Sequence, residues 1–158
     1  MEIAILALGC FWGPEEKFSK LNGIMNTEVG YCGGKTKKTN YEEVCSGSTN
    51  HAEVVKIEFD EKVLTYENLL KKFFEMHDPT TLNRQGPDVG TQYRSEIFFF
   101  NDKQKKIAEE VKSIFNKKYN GKITTNISEQ KNYCKAEEYH QKYFQKKLKN
   151  EFSRNQMA

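Results

Sequence analysis

Ile3-Ala4-Ile5-Leu6-Ala7-Leu8-Gly9-Cys10-Phe11-Trp12-Gly13-Pro14 is the stretch around which the rest of the chain is organised. Its first six residues form a short apolar run that reads as a buried strand. Beyond it, Glu15 to Leu21 reads as a helix, with Pro14 at its start and Gly23 just past its end. Cys10 therefore occupies a strand-to-helix turn, beside unpaired backbone N–H groups and the positive end of a helix dipole. That placement favours a thiolate, the nucleophilic form of cysteine. Gly9 and Gly13 let the backbone pass close to a ligand. Phe11 and Trp12 set two large rings beside the sulfur, where an apolar substrate group can pack. The plainer reading, a small buried cysteine among core aromatics, stays equally open on this stretch alone.

Working outward, Ile24 to Tyr31 alternates loosely and ends in Gly33-Gly34, as a strand before a turn does. Lys35 to Asn50 is polar and reads as a long surface loop, the kind that carries function. Val55, Ile57 and Phe59 alternate with Lys56 and Glu58, an amphipathic strand. Thr65 caps a helix through about Glu75, with Leu69, Leu70, Phe73 and Phe74 on one face, and Asp78-Pro79 stops it. A second polar loop, Thr80 to Gln92, precedes an apolar strand, Ile97 to Phe100. Asp102 caps the longest helix, with Ile107, Val111, Ile114 and Phe115 at helical spacing before Gly121. A short strand at Ile123–Ile127 and a last helix from about Ala136 to Leu148 complete the order. Strands and helices alternate without repeat or linker, which predicts a single α+β domain over residues 1–158.

Bulk properties exclude several classes. No apolar run approaches the roughly 20 residues of a membrane span, and the N-terminal run is too short for a secretory signal. The net charge of +3 comes from lysines interspersed with acids, not from the basic stripe of a nucleic-acid binder. Cysteines at 10, 32, 45 and 134 match no zinc-binding spacing. Free thiols in a cytoplasmic protein, with no metal and no disulfide framework, are the expectation.

Several further groups can do chemistry. Glu53 stands at the entrance to an apolar strand; such a carboxyl either faces water, the commoner case, or is desolvated and keeps a proton near neutral pH. Tyr41 and Tyr93 lie in or beside polar loops, where a phenol can donate to a ligand oxygen or simply pack. Asp88, among Gly86, Pro87 and Gly90, fits a turn cap. His51 is either a base or a packed residue; His77 and His140 read as structural.

Gly9-Cys10-Phe11-Trp12-Gly13, Gly30-Tyr31-x-Gly33-Gly34, His51-Ala52-Glu53-Val54-Val55, Asn83 through Ser95 and Ala136-Glu137-Glu138-Tyr139-His140-Gln141 together resemble the peptide methionine sulfoxide reductase A family. The matches follow the family's order and span nearly the whole chain. The resemblance implies a two-layer α/β sandwich with a ferredoxin-like core and a mixed sheet. It implies an oxidoreductase that returns methionine-S-sulfoxide, free or in oxidised proteins, to methionine. By this resemblance Cys10 is the nucleophile, Glu53 the acid that protonates the sulfoxide oxygen, and Tyr41 and Tyr93 the phenols that hold that oxygen. Phe11 and Trp12 form the pocket for the S-methyl group, and Asp88 contacts the substrate backbone nitrogen. The product on the enzyme would be a sulfenic acid on Cys10. No bound cofactor is implied, only an external thiol reductant such as thioredoxin; a monomer is expected.

The chain departs from the family at three places. Asn50 stands where glycine is usual; Asn tolerates left-handed backbone, so the turn is expected to survive. Cys32 replaces a small residue. The segment after Tyr139 carries no cysteine, where many members have their resolving thiols. Cys134 is then the candidate resolving cysteine, with Cys45 and Cys32 weaker ones and direct external reduction the remaining route. Two other classes stay in view: a Cys–His hydrolase or acyltransferase using His51 or His140, and a passive methionine binder or redox sensor.

Overall fold

In the computed structural model, which describes residues 1–157, the Cys10 turn joins β1 (Glu2–Leu8) to α1 (Trp12–Ser19). The helix begins two residues earlier than the sequence suggests, so Pro14 is its third residue. The ring is tolerated there because the first-turn N–H groups have no intrahelical partner. The chain continues through β2 (Ile24–Cys32), α2 (Tyr41–Cys45), β3 (Ala52–Phe59) and α3 (Tyr66–Glu75). A two-residue-per-strand hairpin, β4 (Arg84–Gln85) and β5 (Asp88–Val89), and a 3-10 turn (Thr91–Tyr93) lead into β6 (Ser95–Phe99). Then follow α4 (Asp102–Lys118), β7 (Asn126–Glu129), β8 (Cys134–Lys135), a 3-10 turn (Glu138–His140) and α5 (Tyr143–Met157).

The main sheet is mixed, in the order β7-β6-β1-β3-β2-β8; only the β6–β7 pair is parallel. Thus β1 and β3 are both central strands. Period-two alternation assigns their side chains to faces. Ala4, Leu6, Leu8, Val29, Tyr31, Val55, Ile57, Phe59 and Ile97 share the helix-covered core with Phe18 of α1 and Ala108 and Val111 of α4. Leu69, Leu70, Phe73 and Phe74 of α3 are fully buried there, each worth about 2 kcal/mol of burial. Thr65 accepts a hydrogen bond from the Asn68 N–H at the start of that helix, as its cap position requires. Ile5, Ala7, Cys32, Ala52, Val54 and Phe98 form a smaller cluster on the opposite face, with Tyr133 against it.

Two expectations are corrected. The 35–50 loop contains α2, whose first turn is capped by Asn40 accepting from the Glu43 N–H at 2.9 Å. Five residues are too few for a periodic signal. The helix expected from Ala136 is absent at that point: residues 134–142 run along the sheet edge and turn at Lys142 (φ 51) before α5 begins. Gln141 explains this. Its side chain accepts from the Val29 N–H (2.9 Å) and donates to the carbonyls of Val29 (2.8 Å) and Ala136 (3.0 Å). These three bonds extend the edge of β2 more favourably than a helical turn would. Asn50 adopts φ 59, as its substitution for glycine anticipated.

Candidate active site

The turn that bears Cys10 requires its preceding glycine. Gly9 has φ +97, and a Cβ there would lie 2.8 Å from the Gln85 side chain. The Cys10 sulfur, half-buried, accepts a hydrogen bond from the Trp12 backbone N–H. Burial nevertheless pushes the thiol up to about 11, and the Glu53 and Asp88 carboxyls push the same way. The thiolate expected from the helix terminus is therefore corrected: one N–H bond does not offset the desolvation, and the resting sulfur carries its proton.

Glu53 lies on β3 opposite Tyr31, on the same face as Val55 and Ile57, and is 1% exposed. It does not face water, because β3 is a central strand and the Cys10 turn covers its end. Its Oε1 accepts from the Phe11 N–H at 3.2 Å. Its Oε2 is buried and has no hydrogen-bond partner among the described residues. Burial raises the carboxyl to about 8; the Phe11 N–H opposes this and Asp88 adds to it. With Oε1 occupied by a donor, the proton belongs on Oε2. The site thus holds a neutral carboxylic acid and a neutral thiol at pH 7.

The two phenols come from different elements. Tyr41 opens α2, its backbone N–H donating to Glu137 Oε2 at 3.0 Å. Its hydroxyl is hydrogen-bonded to the Cys45 thiol, which together with burial lifts it well above an ordinary phenol. Tyr93 ends the 3-10 turn after the hairpin. Burial pushes it up to about 12, with added contributions from Glu53, Cys45, Asp88 and Cys10. Both remain donors across the working range of pH. Asp88, on β5, faces the same groups, since it raises Cys10, Glu53 and Tyr93 alike.

A pocket of about 330 Å³ opens beside the sulfur, its walls including Cys10, Trp12, Met76, His77, Gln85 and Asp88. Trp12 forms one wall and is stacked on Tyr143 at 3.9 Å between centroids, 7° from parallel. Phe11 is not in the wall; it is 1% exposed and packs on Tyr31 (5.8 Å) and His140 (5.1 Å). Glu53, Tyr41 and Tyr93 are likewise not among its walls; Glu53 and Tyr93 lie within electrostatic reach of Cys10, and Tyr41 within reach of Glu53 and Tyr93.

The other thiols separate clearly. Cys134 lies in β8 opposite Tyr31, whose other neighbour is Glu53, and its Sγ is 3.8 Å from the Thr39 carbonyl. Cys45 is exposed and hydrogen-bonded to the Tyr41 phenol. Cys32 is fully buried on the opposite face, donating to the Lys131 carbonyl, and is out of contention. Of the histidines, His51 is buried between Gly34 N–H and the Thr36 carbonyl (3.1 and 2.8 Å) and His77 between the Phe73 carbonyl and Ser95 (2.7 Å each). No group of three or more possible metal ligands occurs among the described residues.

Sequence reading took His140 as structural, in agreement with its buried contact, but gave neither it nor Glu137 a place around the site. Glu137 accepts from the Tyr31 hydroxyl (2.9 Å), the Tyr41 N–H and the Tyr139 hydroxyl (3.3 Å). His140 accepts from the Trp12 indole N–H. Both belong to a polar, aperiodic segment, so neither alternation nor helical spacing marked them.

Comparisons with known proteins identify the family and the fold. The family model described as peptide methionine sulfoxide reductase matches residues 2–158. A relative from Pelagibacter ubique, described as peptide methionine sulfoxide reductase MsrA, is 63% identical over 147 residues, covering 93% of this chain and all of that one. Among solved structures, reduced Mxr1 from Saccharomyces cerevisiae superposes with a TM-score of 0.88 at 42% identity, covering 92% of this chain and 84% of that one. Mxr1 in complex with Trx2 superposes at 0.66 with 32% identity, covering 88% and 83%.

Proposed function

Because the chain belongs to the peptide methionine sulfoxide reductase family, a family of oxidoreductases, we propose that it reduces methionine-S-sulfoxide, free or in oxidised proteins, through Cys10 and Glu53. The observation that carries this reading is the buried Glu53 carboxyl with its unpartnered Oε2 beside the Cys10 turn. A sulfoxide sulfur is a poor electrophile until its oxygen is protonated or strongly hydrogen-bonded. A carboxyl held neutral to about pH 8 can supply that proton.

The protons balance. At rest Cys10 and Glu53 each hold one. Glu53 Oε2–H protonates the sulfoxide oxygen while Tyr41 and Tyr93 donate to it, and Cys10 attacks the sulfur. As the bond between the Cys10 sulfur and the substrate sulfur forms, the S–O bond breaks; the oxygen, released as hydroxide, adds to the Cys10 sulfur, which breaks the S–S bond, expels methionine and leaves a sulfenic acid on Cys10. The proton lost by the thiol restores Glu53. Trp12, with Phe11 buried behind it, shapes the recess for the S-methyl group, and Asp88 at the rim takes the substrate's backbone N–H.

Cys134 then attacks the sulfenic acid, giving a Cys10–Cys134 disulfide and water, and thioredoxin reduces the disulfide. The edge position of β8 supports Cys134, and the Mxr1–Trx2 complex supports a thioredoxin-type donor. Cys45 is the second reading, favoured by its contact with the Tyr41 phenol.

A single turnover tests the scheme. Reduced protein, freed of reductant, is mixed with excess methionine-S-sulfoxide peptide, and methionine formed and thiols lost are counted. One methionine and two thiols per chain are expected, falling to one thiol in Cys134→Ser but not in Cys45→Ser. Absence of methionine overturns the reading, and a count that falls to one thiol lost only in Cys45→Ser transfers the resolving role.

A further inference from the structure

The pocket beside Cys10 has walls of both charge signs. Asp88, on β5, acts on Cys10, Glu53 and Tyr93 alike, so its negative charge is felt through the whole site. Taken alone, that field disfavours any substrate carrying a carboxylate. Lys17, on α1, lines the same pocket. His77, the other basic wall residue, is no cation: burial lowers it to about 4, and its ring nitrogens are bonded to the Phe73 carbonyl and the Ser95 hydroxyl.

Helical spacing brings Lys17 to the pocket. Gly13, Pro14 and Lys17 share one face of α1, and all three are pocket walls. A long helical side chain leans back over the turn N-terminal to its own Cα, and here that turn carries Gly13. A Cβ at Gly13 would meet nothing within 4 Å, so the space above it is open. The Lys17 ammonium can swing through that space toward the mouth of the pocket.

Lys17 also has no competing partner. It is exposed and forms no ion pair among the described residues. The neighbouring acids are engaged elsewhere: Glu16 with Lys20 at 3.1 Å, and Glu15 with the Thr27 hydroxyl and the Lys142 N–H. A lysine in the last turn complements the helix dipole, but Lys20 at the C-cap does the same without facing the pocket.

We propose that Lys17 is a specificity-determining residue of this pocket, favouring methionine sulfoxide with a carboxylate close to it. That carboxylate is either the α-carboxylate of a free or chain-terminal methionine sulfoxide or the side chain of an adjacent acidic residue. Asp88 takes the substrate nitrogen and Lys17 the carboxylate, which offsets the repulsion from Asp88. The proposal rests on the sulfoxide reduction proposed above and narrows its substrate class.

Three S-sulfoxide compounds separate the sources. N-acetylmethionine sulfoxide methylamide has no carboxylate, N-acetylmethionine sulfoxide has the α-carboxylate, and N-acetylmethionine sulfoxide joined to glutamic diamide's parent monoamide has only a side-chain carboxylate. The readout is kcat/KM of each carboxylate compound divided by that of the neutral one. In Lys17→Gln the ratio should fall about threefold for at least one of them, the scale of a solvent-accessible ion pair, mostly through KM. Lys17→Glu should lower it about tenfold, since repulsion replaces attraction. About 0.5 M KCl should shrink the parent's ratio in the same direction. Lys20→Gln should leave it at the parent's value. The compound that responds identifies the source of the carboxylate. Ratios unmoved in both Lys17 variants overturn the proposal, as does an equal fall in Lys20→Gln, which would mark the general charge of α1. A parent that forms no methionine from any compound defeats the reductase reading instead. Dissociation constants of the same compounds, read from the emission of Trp12, a pocket wall and the chain's only tryptophan, then decide whether Lys17 selects a carboxylate.

Discussion

Two buried carboxyls near the start of α1, Glu15 within its first turn and Glu53 against its N-cap, are almost equally hidden and are treated in opposite ways. Glu15, 2% exposed, has both oxygens occupied: Oε2 accepts from the Thr27 hydroxyl at 2.9 Å, and Oε1 from the Lys142 N–H at 2.7 Å, with the Lys142 ammonium 4.0 Å away. It ties α1 to β2 and to the left-handed corner before α5. Glu53, 1% exposed, has a single donor, the Phe11 N–H, and one oxygen with none. Burial alone therefore does not mark a reactive acid. A carboxyl whose two oxygens both have donors serves as a structural joint; one denied donors keeps its proton and can give it away.

The contrast yields three tests, in order of expected size. Glu53→Gln removes the proton and keeps the shape. The rate of methionine formation in a single turnover should fall by about 10²- to 10⁴-fold, the usual contribution of general acid catalysis, with no loss of thermal stability. A rate within a few-fold of the parent would end the distinction between the two carboxyls. Glu15→Ala should do the reverse. Stranding the Thr27 and Lys142 donors should cost about 3 kcal/mol in urea unfolding, while kcat/KM of the folded fraction stays within about threefold. A collapse of activity at full stability would move Glu15 into the chemistry.

The third test is a pH profile. Folded Glu53 holds its proton up to about pH 8, whereas in the unfolded chain it releases it near 4.5. Between those values the folded state binds more protons, so Glu53 lowers stability as pH rises across the window. The rate should fall as pH passes about 8. In Glu53→Gln both slopes should flatten, and a parent-like slope in the variant would assign the titration to another group.

Much of this was legible in the chain. The apolar run before Gly9-Cys10 and the helix signals after Trp12 placed Cys10 on its turn, and the alternation of Val55, Ile57 and Phe59 places Glu53 on their face once the strand reaches back to Ala52. The spacing of Leu69, Leu70, Phe73 and Phe74 marked a helix face that is fully buried. The misses share a cause. The α2 helix is too short for periodicity, and residues 136–142 have helix-compatible composition but form only a 3-10 turn at the sheet edge, tied there by Gln141, whose partner Val29 lies 112 positions away.

The sequence by itself therefore determined which residues share a face and where the chain turns, because those properties follow from periodicities of two and 3.6 and from Gly, Pro and capping residues. Depth and partners were decided only by the tertiary structure. Glu53 is a buried carboxyl with one oxygen bare among the described residues because β3 lies between β1 and β2 and the Phe11 N–H, 42 positions away, reaches only the other oxygen. Burial raises the Cys10 thiol despite the helix terminus, and the Trp12 indole N–H finds its acceptor in a histidine 128 positions further along the chain. Desolvation and hydrogen-bond partners are set by neighbours in space, and no local pattern encodes them.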